Sequence, residues 1–257
     1  MNPASFLPLI QEDRDEAAAA AAWLSAHEGE PPPESVATTI RGLASRIEQT
    51  ILAPGALPRE IAALCAGARE SGFYGVCVSP VHVPLAVREL AGTGVAVVTV
   101  IGFPSGAHRS KAKASEAGCA VQDGATELDM VIPIGLLRAG LDVAVREDIE
   151  AVVRAASGRL VKVILETALL TDEEKIRGAR LVREAGATFL KTSTGFGPGG
   201  ATEADVALLR REAGARMGVK AAGGIRSAAT ALRMVACGAD RIGTSSGPAI
   251  IGAATSA

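Results

Sequence analysis

Aromatic residues are scarce in this chain: they make up 3% of 257 residues, with one tryptophan and one tyrosine. The formal net charge is only −2, and no block of lysines or arginines stands out along the sequence. Proteins that bind nucleic acid commonly combine basic patches with aromatic side chains that stack on bases. The composition therefore speaks against such a surface, and we expect no nucleic-acid partner.

Cysteine and histidine are also few. The four cysteines, at positions 65, 77, 119 and 237, form no Cys-x-x-Cys pair, and the three histidines share no metal-ligand spacing. We therefore expect no metal site, and we expect the cysteines to be reduced and buried, as is usual in the cytoplasm. No apolar run is long enough to span a membrane, so we predict a cytoplasmic protein without a membrane partner.

A regular alternation of segments occupies most of the chain. Short apolar runs alternate with stretches rich in alanine, leucine, glutamate and arginine, and the runs lie at 47–52, 75–78, 95–101, 128–132, 161–165, 189–191, 219–222 and 241–243. Eight strands joined by crossover helices favour a closed (β/α)8 barrel, the TIM barrel of the α/β class. The alternative is a doubly wound open sheet, which the lack of a Gly-x-Gly-x-x-Gly turn after the first strand weakens.

The first 35 residues differ from the rest. An alanine-rich segment at 12–27 suits a helix, and the run Glu-Pro-Pro-Pro-Glu at 30–34 cannot continue it. We predict that residues 1–35 form an N-terminal extension, either helical or flexible. We predict that residues 36–257 form a single barrel domain with the catalytic residues.

Two lysines are the candidates for chemistry, because Lys191 and Lys220 each lie in an apolar run just before a glycine-rich turn. An ordinary lysine has a pKa of about 10.4, so few such amines are neutral at physiological pH. A second ammonium about 4 Å away opposes protonation by about 4 kcal/mol at an effective dielectric constant of about 20. One lysine of the pair then becomes a nucleophile; the alternative is that each lysine only pairs with a carboxylate.

Two further charged residues belong to the strands between. Alternate residues of each barrel strand face the lumen, so Asp129 and Lys162 can point inward together with Lys191 and Lys220. One acid among three bases predicts unbalanced positive charge, which lowers a lysine pKa and favours an anionic substrate. A plain salt bridge is the alternative role of Asp129 and Lys162.

Glycine-rich turns follow the last three predicted strands, where barrels often bind phosphate through backbone N–H groups. The candidate phosphate-binding residues are Gly195, Gly223, Gly224, Ser245 and Ser246. Any one of these segments alone is more typical of an ordinary turn, but three in series beside a lysine pair are more specific. We therefore expect a sugar phosphate as the substrate.

These residues stand in segments that resemble deoxyribose-phosphate aldolases, a family of class I aldolases with a (β/α) barrel. The segments are Val-Cys-Val-Ser-Pro at 76–80, Thr-Val-Ile-Gly-Phe-Pro at 99–104, Glu-Leu-Asp-Met-Val-Ile at 127–132, Lys-Val-Ile-Leu-Glu-Thr at 162–167, Lys-Thr-Ser-Thr-Gly at 191–195, Lys-Ala-Ala-Gly-Gly-Ile-Arg at 220–226 and Gly-Thr-Ser-Ser at 243–246. The Lys-Thr-Ser-Thr-Gly segment is highly specific for this family.

The resemblance implies a role for each catalytic candidate: Lys191 forms the Schiff base, Lys220 lowers its pKa and relays protons, and Asp129 exchanges protons through a water. Lys162 and Thr50 match further active-site positions. The implied reaction is reversible cleavage of 2-deoxy-D-ribose 5-phosphate to acetaldehyde and D-glyceraldehyde 3-phosphate, in deoxyribonucleoside catabolism. No cofactor is implied, and the implied assembly is a homo-oligomer, either a dimer or a tetramer.

The first predicted strand departs from the family pattern. Many members have Ile-Asp-His-Thr-Leu-Leu where this chain has Ile-Glu-Gln-Thr-Ile-Leu at 47–52, so Glu48 replaces an aspartate and Gln49 replaces a histidine. The sequence leaves two other functions open. One is an isomerase or lyase that acts on another sugar phosphate by acid–base chemistry, and the other is a sugar-phosphate-binding protein without turnover.

Overall fold

Eight parallel strands form the centre of the computed structural model, which describes residues 10–255. They close into a barrel in chain order: β1 (Ile47–Ile51), β2 (Gly75–Val78), β3 (Ala96–Ile101), β4 (Glu127–Val131), β5 (Leu160–Ile164), β6 (Phe189–Lys191), β7 (Gly218–Ala222) and β8 (Arg241–Thr244). Each predicted run is a strand, with bounds that differ by at most one residue. The predicted (β/α)8 barrel is confirmed, and the open-sheet alternative is wrong.

Helices surround this barrel and connect its strands. They are α1 (Gln11–Ala26), α2 (Glu34–Gly42), α3 (Pro58–Glu70), α4 (Val83–Glu89), α5 (Ser110–Gln122), α6 (Ile134–Arg138), α7 (Asp142–Ala155), α8 (Asp172–Glu184), α9 (Glu203–Ala213), α10 (Ala228–Ala236) and α11 (Gly247–Gly252). Local signals in the sequence start some of them: α8 begins at a capping box, in which Thr171 and Glu174 each accept the other's backbone N–H. Within residues 10–255, no helix is both long and apolar enough to cross a membrane.

The alanine-rich segment before the barrel is helix α1, which packs mainly along α10. Ala17, Ala20 and Ala21 are buried, and their spacing of three and four residues places them on one face of α1. Small side chains on this face let the two helices approach closely. Residues 1–9 of the predicted extension and residues 256–257 lie outside the described residues.

The cysteines are unpaired, as expected for reduced thiols. Cys65 and Cys77 are buried, whereas Cys237 is partly exposed and Cys119 is exposed. The expectation that all four are buried was therefore wrong. Cys119 lies on α5 outside the face formed by the buried residues Ala117 and Ala120, so it faces away from the barrel.

The register of the strands sets the relative positions of the charged residues. Asp129 lies beside Lys162 across β4 and β5, and Lys191 lies beside Lys220 across β6 and β7. Strand β1 closes the barrel against β8, with Gln49 beside Thr244. Residues of four consecutive strands and of β1 therefore meet in the lumen of the barrel.

Candidate active site

A buried cluster of charged side chains fills the lumen, with Asp129 at its centre. Asp129 Oδ1 accepts a hydrogen bond from Lys162 Nζ at 3.0 Å, and Oδ2 accepts from both Lys191 Nζ and Lys220 Nζ at 2.7 Å. Since the last two amines share one oxygen, they are no farther apart than twice that distance. The structure thus brings together the four charged residues that the sequence placed in the lumen.

Two further carboxylates belong to the cluster. Glu48 of β1 accepts a hydrogen bond from Lys220 Nζ and lies 3.4 Å from Lys162 Nζ, and Glu127 of β4 lies 2.5 Å from Lys162 Nζ. Three carboxylates therefore face three lysines, and the predicted excess of positive charge was wrong. The alternation that turns Asp129 inward also turns Glu127 inward two residues earlier, so the sequence carried a signal for Glu127.

The three lysines differ in pKa. Burial lowers the pKa of Lys191 below its ordinary value and the ammonium of Lys220 lowers it further, although Asp129 acts in the opposite direction. Burial also lowers the pKa of Lys220, but Asp129 and Glu48 outweigh it and raise that pKa above its ordinary value. The pKa of Lys162 is raised well above its ordinary value, because its carboxylate neighbours outweigh burial. Lys191 is therefore the lysine that loses its proton most readily.

Two acids of the cluster, Asp129 and Glu48, are held ionised. Burial raises the pKa of Asp129, but Lys162, Lys191 and Lys220 outweigh burial and hold this pKa well below its ordinary value. Lys162 and Lys220 likewise outweigh burial at Glu48 and lower its pKa. Asp129 and Glu48 thus accept hydrogen bonds as carboxylates at neutral pH.

A cavity of about 220 Å³ opens at the carboxyl ends of β1, β6, β7 and β8. Lys191 lines this cavity with its side chain 4% exposed, whereas Lys162 and Lys220 are 0% exposed and do not line it. Thr50 also lines the cavity, and its hydroxyl donates to the backbone oxygen of Glu48 at 2.9 Å. Of the three lysines, Lys191 is the one that a small molecule in this cavity can reach.

The predicted phosphate turns border the same cavity, close to Lys191. Four of the five candidate residues line it: Gly195, Gly223, Gly224 and Ser245. Ser246 does not line it, and its N–H donates to Thr244 Oγ1 at 2.9 Å. Thr244 Oγ1 in turn donates to the backbone oxygen of Ile225 at 2.6 Å, which joins the turns after β7 and β8. Gly224 has a φ of +79°, a conformation that side chains disfavour.

Glu166 is a site residue to which the sequence interpretation gave no role. It follows β5, is buried, and its carboxylate accepts hydrogen bonds from the N–H of Thr194, at 3.3 Å, and from the hydroxyl of Thr194. These bonds hold the turn that comes directly after Lys191. The only signal in the sequence was the position of Glu166 within the segment at 162–167.

Residues 45–254 match the model of the DeoC/LacD family of aldolases. The chain belongs to this family, and it is accordingly a class I aldolase, a carbon–carbon lyase that works through a Schiff base. Among its relatives are the deoxyribose-phosphate aldolases of Thermotoga petrophila and Enterococcus faecalis. The first is 52% identical over 88% of this chain and 90% of its own length. The second is 52% identical over 81% of this chain and 96% of its own length.

The fold agrees with that of solved aldolases. The tetrameric deoxyribose phosphate aldolase of Aeropyrum pernix superposes with a TM-score of 0.81 at 33% sequence identity. The match covers 97% of this chain and 99% of that one. It therefore includes most of the N-terminal segment that precedes the barrel.

Replacing Glu48 tests the charge balance of the cluster. Glu48→Gln keeps the size of the side chain but leaves the buried Lys220 with one carboxylate fewer, and breaking a buried pair costs about 3 kcal/mol or more. We expect the free energy of unfolding in urea to fall by about this amount at neutral pH, and Glu48→Asp to cost less because it keeps the charge. The exposed Glu34, paired with Arg41, supplies the control: Glu34→Gln is expected to cost less than about 1 kcal/mol.

The effect of Glu48 depends on pH with a definite sign. The pKa of Glu48 is lowered in the folded protein, so its stabilisation is complete above the ordinary pKa of about 4.3 and disappears as pH falls through the folded value. The difference in unfolding free energy between the wild type and Glu48→Gln is expected to shrink below about pH 4. A difference that is constant across this range, or absent at neutral pH, contradicts the charge-balance argument.

Proposed function

We propose that the protein reversibly cleaves 2-deoxy-D-ribose 5-phosphate to acetaldehyde and D-glyceraldehyde 3-phosphate, in deoxyribonucleoside catabolism. One observation supports this proposal most directly: Lys191 alone among the three lysines both lines the cavity and has a pKa below its ordinary value. A neutral, accessible amine is what Schiff-base formation requires. Relatives that are 52% identical are deoxyribose-phosphate aldolases, which supports this substrate.

In the proposed mechanism Lys191 Nζ attacks C1 of the open-chain sugar, and loss of water gives a cationic imine. The imine withdraws electrons from the C2–C3 bond. Loss of the C3 hydroxyl proton breaks that bond, which releases D-glyceraldehyde 3-phosphate and leaves an enamine on Lys191. Protonation at C2 and hydrolysis then release acetaldehyde and restore the amine.

The neighbours of Lys191 have complementary roles in this proposal. Asp129, ionised and 2.7 Å from Lys191 Nζ, begins the cycle as a proton acceptor and exchanges protons with the substrate through a water. Lys220 is protonated at rest, and its ammonium lowers the pKa of Lys191. We propose that it also takes part in the proton relay during turnover. Lys162 holds Asp129 in place from the other carboxylate oxygen, and Thr50 offers a hydroxyl at the cavity wall.

The phosphate of the substrate is proposed to bind at the turns after β6, β7 and β8. Since the charged cluster is balanced, an excess of lysine charge does not account for anion binding. Backbone N–H groups do not titrate, and they bind phosphate where glycine allows a close approach of the chain. The proposed ligands of the phosphate are the backbone groups of Gly195, Gly223 and Gly224, together with Ser245. Ser246 follows in the same turn, and we propose that the hydrogen bond of its N–H to Thr244 Oγ1 helps to hold Ser245 in place.

Family membership weighs against the two other functions considered. An isomerase or lyase that uses acid–base chemistry alone has no need of a lysine with a lowered pKa at the cavity wall. A binding protein without turnover has no need of the ionised Asp129 beside that lysine. The trapping experiment below separates the isomerase or lyase from an aldolase. Release of acetaldehyde from deoxyribose 5-phosphate, measured with a coupled dehydrogenase, separates a binding protein without turnover from an aldolase.

We also propose how the rest of the chain is organised. We propose that residues 1–35 are an extension, whose helix α1 packs on α10. Residues 36–257 then form a single catalytic barrel. The family match at 45–254 supports this division. We propose a homo-oligomer, a dimer or a tetramer, on the precedent of the tetrameric relative from Aeropyrum pernix. The cytoplasm is the proposed location.

Borohydride trapping tests the identity of the nucleophile. Incubation with acetaldehyde and borohydride is expected to add one ethyl group to Lys191, because the imine is reduced to a secondary amine, and mass spectrometry of peptides locates it. Lys191→Met should abolish the modification, whereas the exposed control Lys111→Met should leave it unchanged. Labelling mainly at Lys162 or Lys220 contradicts the assignment of Lys191, and no specific labelling contradicts the aldolase proposal.

Lys220→Leu tests the contribution of the neighbouring ammonium. Without this charge the pKa of Lys191 rises, so its neutral fraction at neutral pH and the activity are expected to fall by about one to three orders of magnitude. Activity should partly recover as pH increases, since Lys191 then loses its proton. The rate of borohydride trapping against pH measures this shift directly, and a profile identical to that of the wild type would assign the lowered pKa to burial alone.

Gly224→Ala tests the phosphate turn. A methyl group at a φ of +79° disturbs the backbone that borders the cavity, and we expect KM for deoxyribose 5-phosphate to rise about ten-fold or more while kcat/KM for unphosphorylated deoxyribose changes little. Gly158 has a φ of +81° and equally open surroundings outside the cavity, so Gly158→Ala controls for backbone strain. Equal losses with both substrates would show that Gly224 supports the fold rather than the phosphate.

A further inference from the structure

Gln49 lies at the seam where the barrel closes, next to the proposed phosphate site but outside the charged cluster. It lies between Glu48 and Thr50 on β1, and the side chains of both of these residues face the lumen. Because side chains alternate along a strand, the side chain of Gln49 lies on the opposite face of β1. The side chain is 8% exposed. Its nearest polar contacts are with the backbone of the segment that follows β8.

Both polar atoms of the Gln49 side-chain amide form hydrogen bonds with this backbone. Nε2 donates to the backbone oxygen of Ser245 at 3.0 Å, and Oε1 accepts from the N–H of Gly247 at 2.9 Å. Strand β8 ends at Thr244, so the ladder of the barrel does not supply these partners. Gly247 begins α11, and an N–H at the start of a helix has no acceptor within the helix. Gln49 therefore satisfies one donor and one acceptor that lie on either side of Ser246.

The packing around Gly247 shows that the contact is close. A Cβ added at Gly247 would lie 2.4 Å from Oε1 of Gln49 and 2.8 Å from the ring of Phe73. The backbone of the turn thus rests directly on the side chain of Gln49. Two hydrogen bonds in opposite directions, two residues apart, fix both the position and the rotation of the peptide groups that carry Ser245 to the cavity wall.

We propose that Gln49 is a positioning residue for the phosphate end of the substrate. It does not line the cavity, and it acts by holding the turn 245–247 in the geometry that binds phosphate. The inference rests on the proposed function, since it concerns the same phosphate site. Its consequence is specific: Gln49 should set KM for phosphorylated substrates and should have little influence on the chemistry at Lys191.

Gln49→Met removes both hydrogen bonds and roughly keeps the volume of the side chain. We expect KM for deoxyribose 5-phosphate to rise about ten-fold, with kcat and the kcat/KM for unphosphorylated deoxyribose changed less than about two-fold. Inorganic phosphate provides a second readout, because it competes with the phosphate group of the substrate. As a competitive inhibitor of the reaction with deoxyribose 5-phosphate, it should bind more weakly by the same factor in Gln49→Met.

Gln49→His provides a test by rescue. A neutral imidazole has one N–H donor and one nitrogen acceptor, so it can replace both bonds of the amide. At about pH 8 this variant is expected to have a KM within about three-fold of the wild type. Thr126→Val is the matched control, because the hydroxyl of Thr126 also bonds both a backbone N–H and a backbone oxygen, those of Val97, at the opposite end of the barrel. It should leave KM unchanged.

The outcomes distinguish the inference from the proposed function. If the wild type does not cleave deoxyribose 5-phosphate, the proposed function fails whatever the variants do. If the wild type cleaves it and Gln49→Met has an unchanged KM and an unchanged phosphate inhibition constant, only the role of Gln49 is wrong. Equal losses with both substrates would also overturn the proposed role, because Gln49 would then serve only to stabilise the contact between β1 and β8. A rise in KM confined to phosphorylated substrates and reversed by Gln49→His supports it.

Discussion

The hydrogen bonds of Asp129 with the side-chain amino groups of three lysines hold the active site together. Four strands supply these groups, and none of the lysines could remain buried and charged without a carboxylate within reach, since an unpaired buried ion is very costly. Asp129 therefore fixes where Lys162, Lys191 and Lys220 lie relative to one another. The same carboxylate links the proposed activity to stability, because the groups that we propose as catalytic also form the ion pairs of the lumen.

Small differences in surroundings make three chemically identical side chains behave differently. Lys220 has two carboxylate partners and Lys162 has three, so both hold their protons tightly. Lys191 has one such partner, Asp129, and it also stands at the cavity wall. Burial then lowers its pKa more than a single carboxylate can raise it. The lysine that we propose as the nucleophile thus differs from the other two in the number of its carboxylate neighbours rather than in any property of its own strand.

The strands and the inward positions of Asp129, Lys162, Lys191 and Lys220 were predictable from the sequence, because apolar runs and the alternation along a strand are local properties. The charge of the cluster was not, because Glu48 joins it only after β1 meets β8, a contact between residues almost two hundred positions apart. The contacts of Gln49 and of Glu166 likewise depend on turns that the closed barrel brings close. Burial is the largest influence on the pKa of Lys191, and this could be known only from the packed structure of the lumen. No pattern of residues in a sequence shows how much water a site excludes.

The balance of three carboxylates and three lysines also bears on the covalent intermediate. When Lys191 is a free amine, only Lys162 and Lys220 carry positive charge. The three carboxylates of the cluster then exceed the ammoniums by one charge. In the proposed mechanism, condensation with an aldehyde converts that amine into a protonated imine, whose cation supplies the missing charge. The electric field of the lumen is therefore better matched to this proposed intermediate than to the free amine. Asp129, which the proposed mechanism uses as a proton acceptor, would therefore also act as a preorganised counter-ion for the imine.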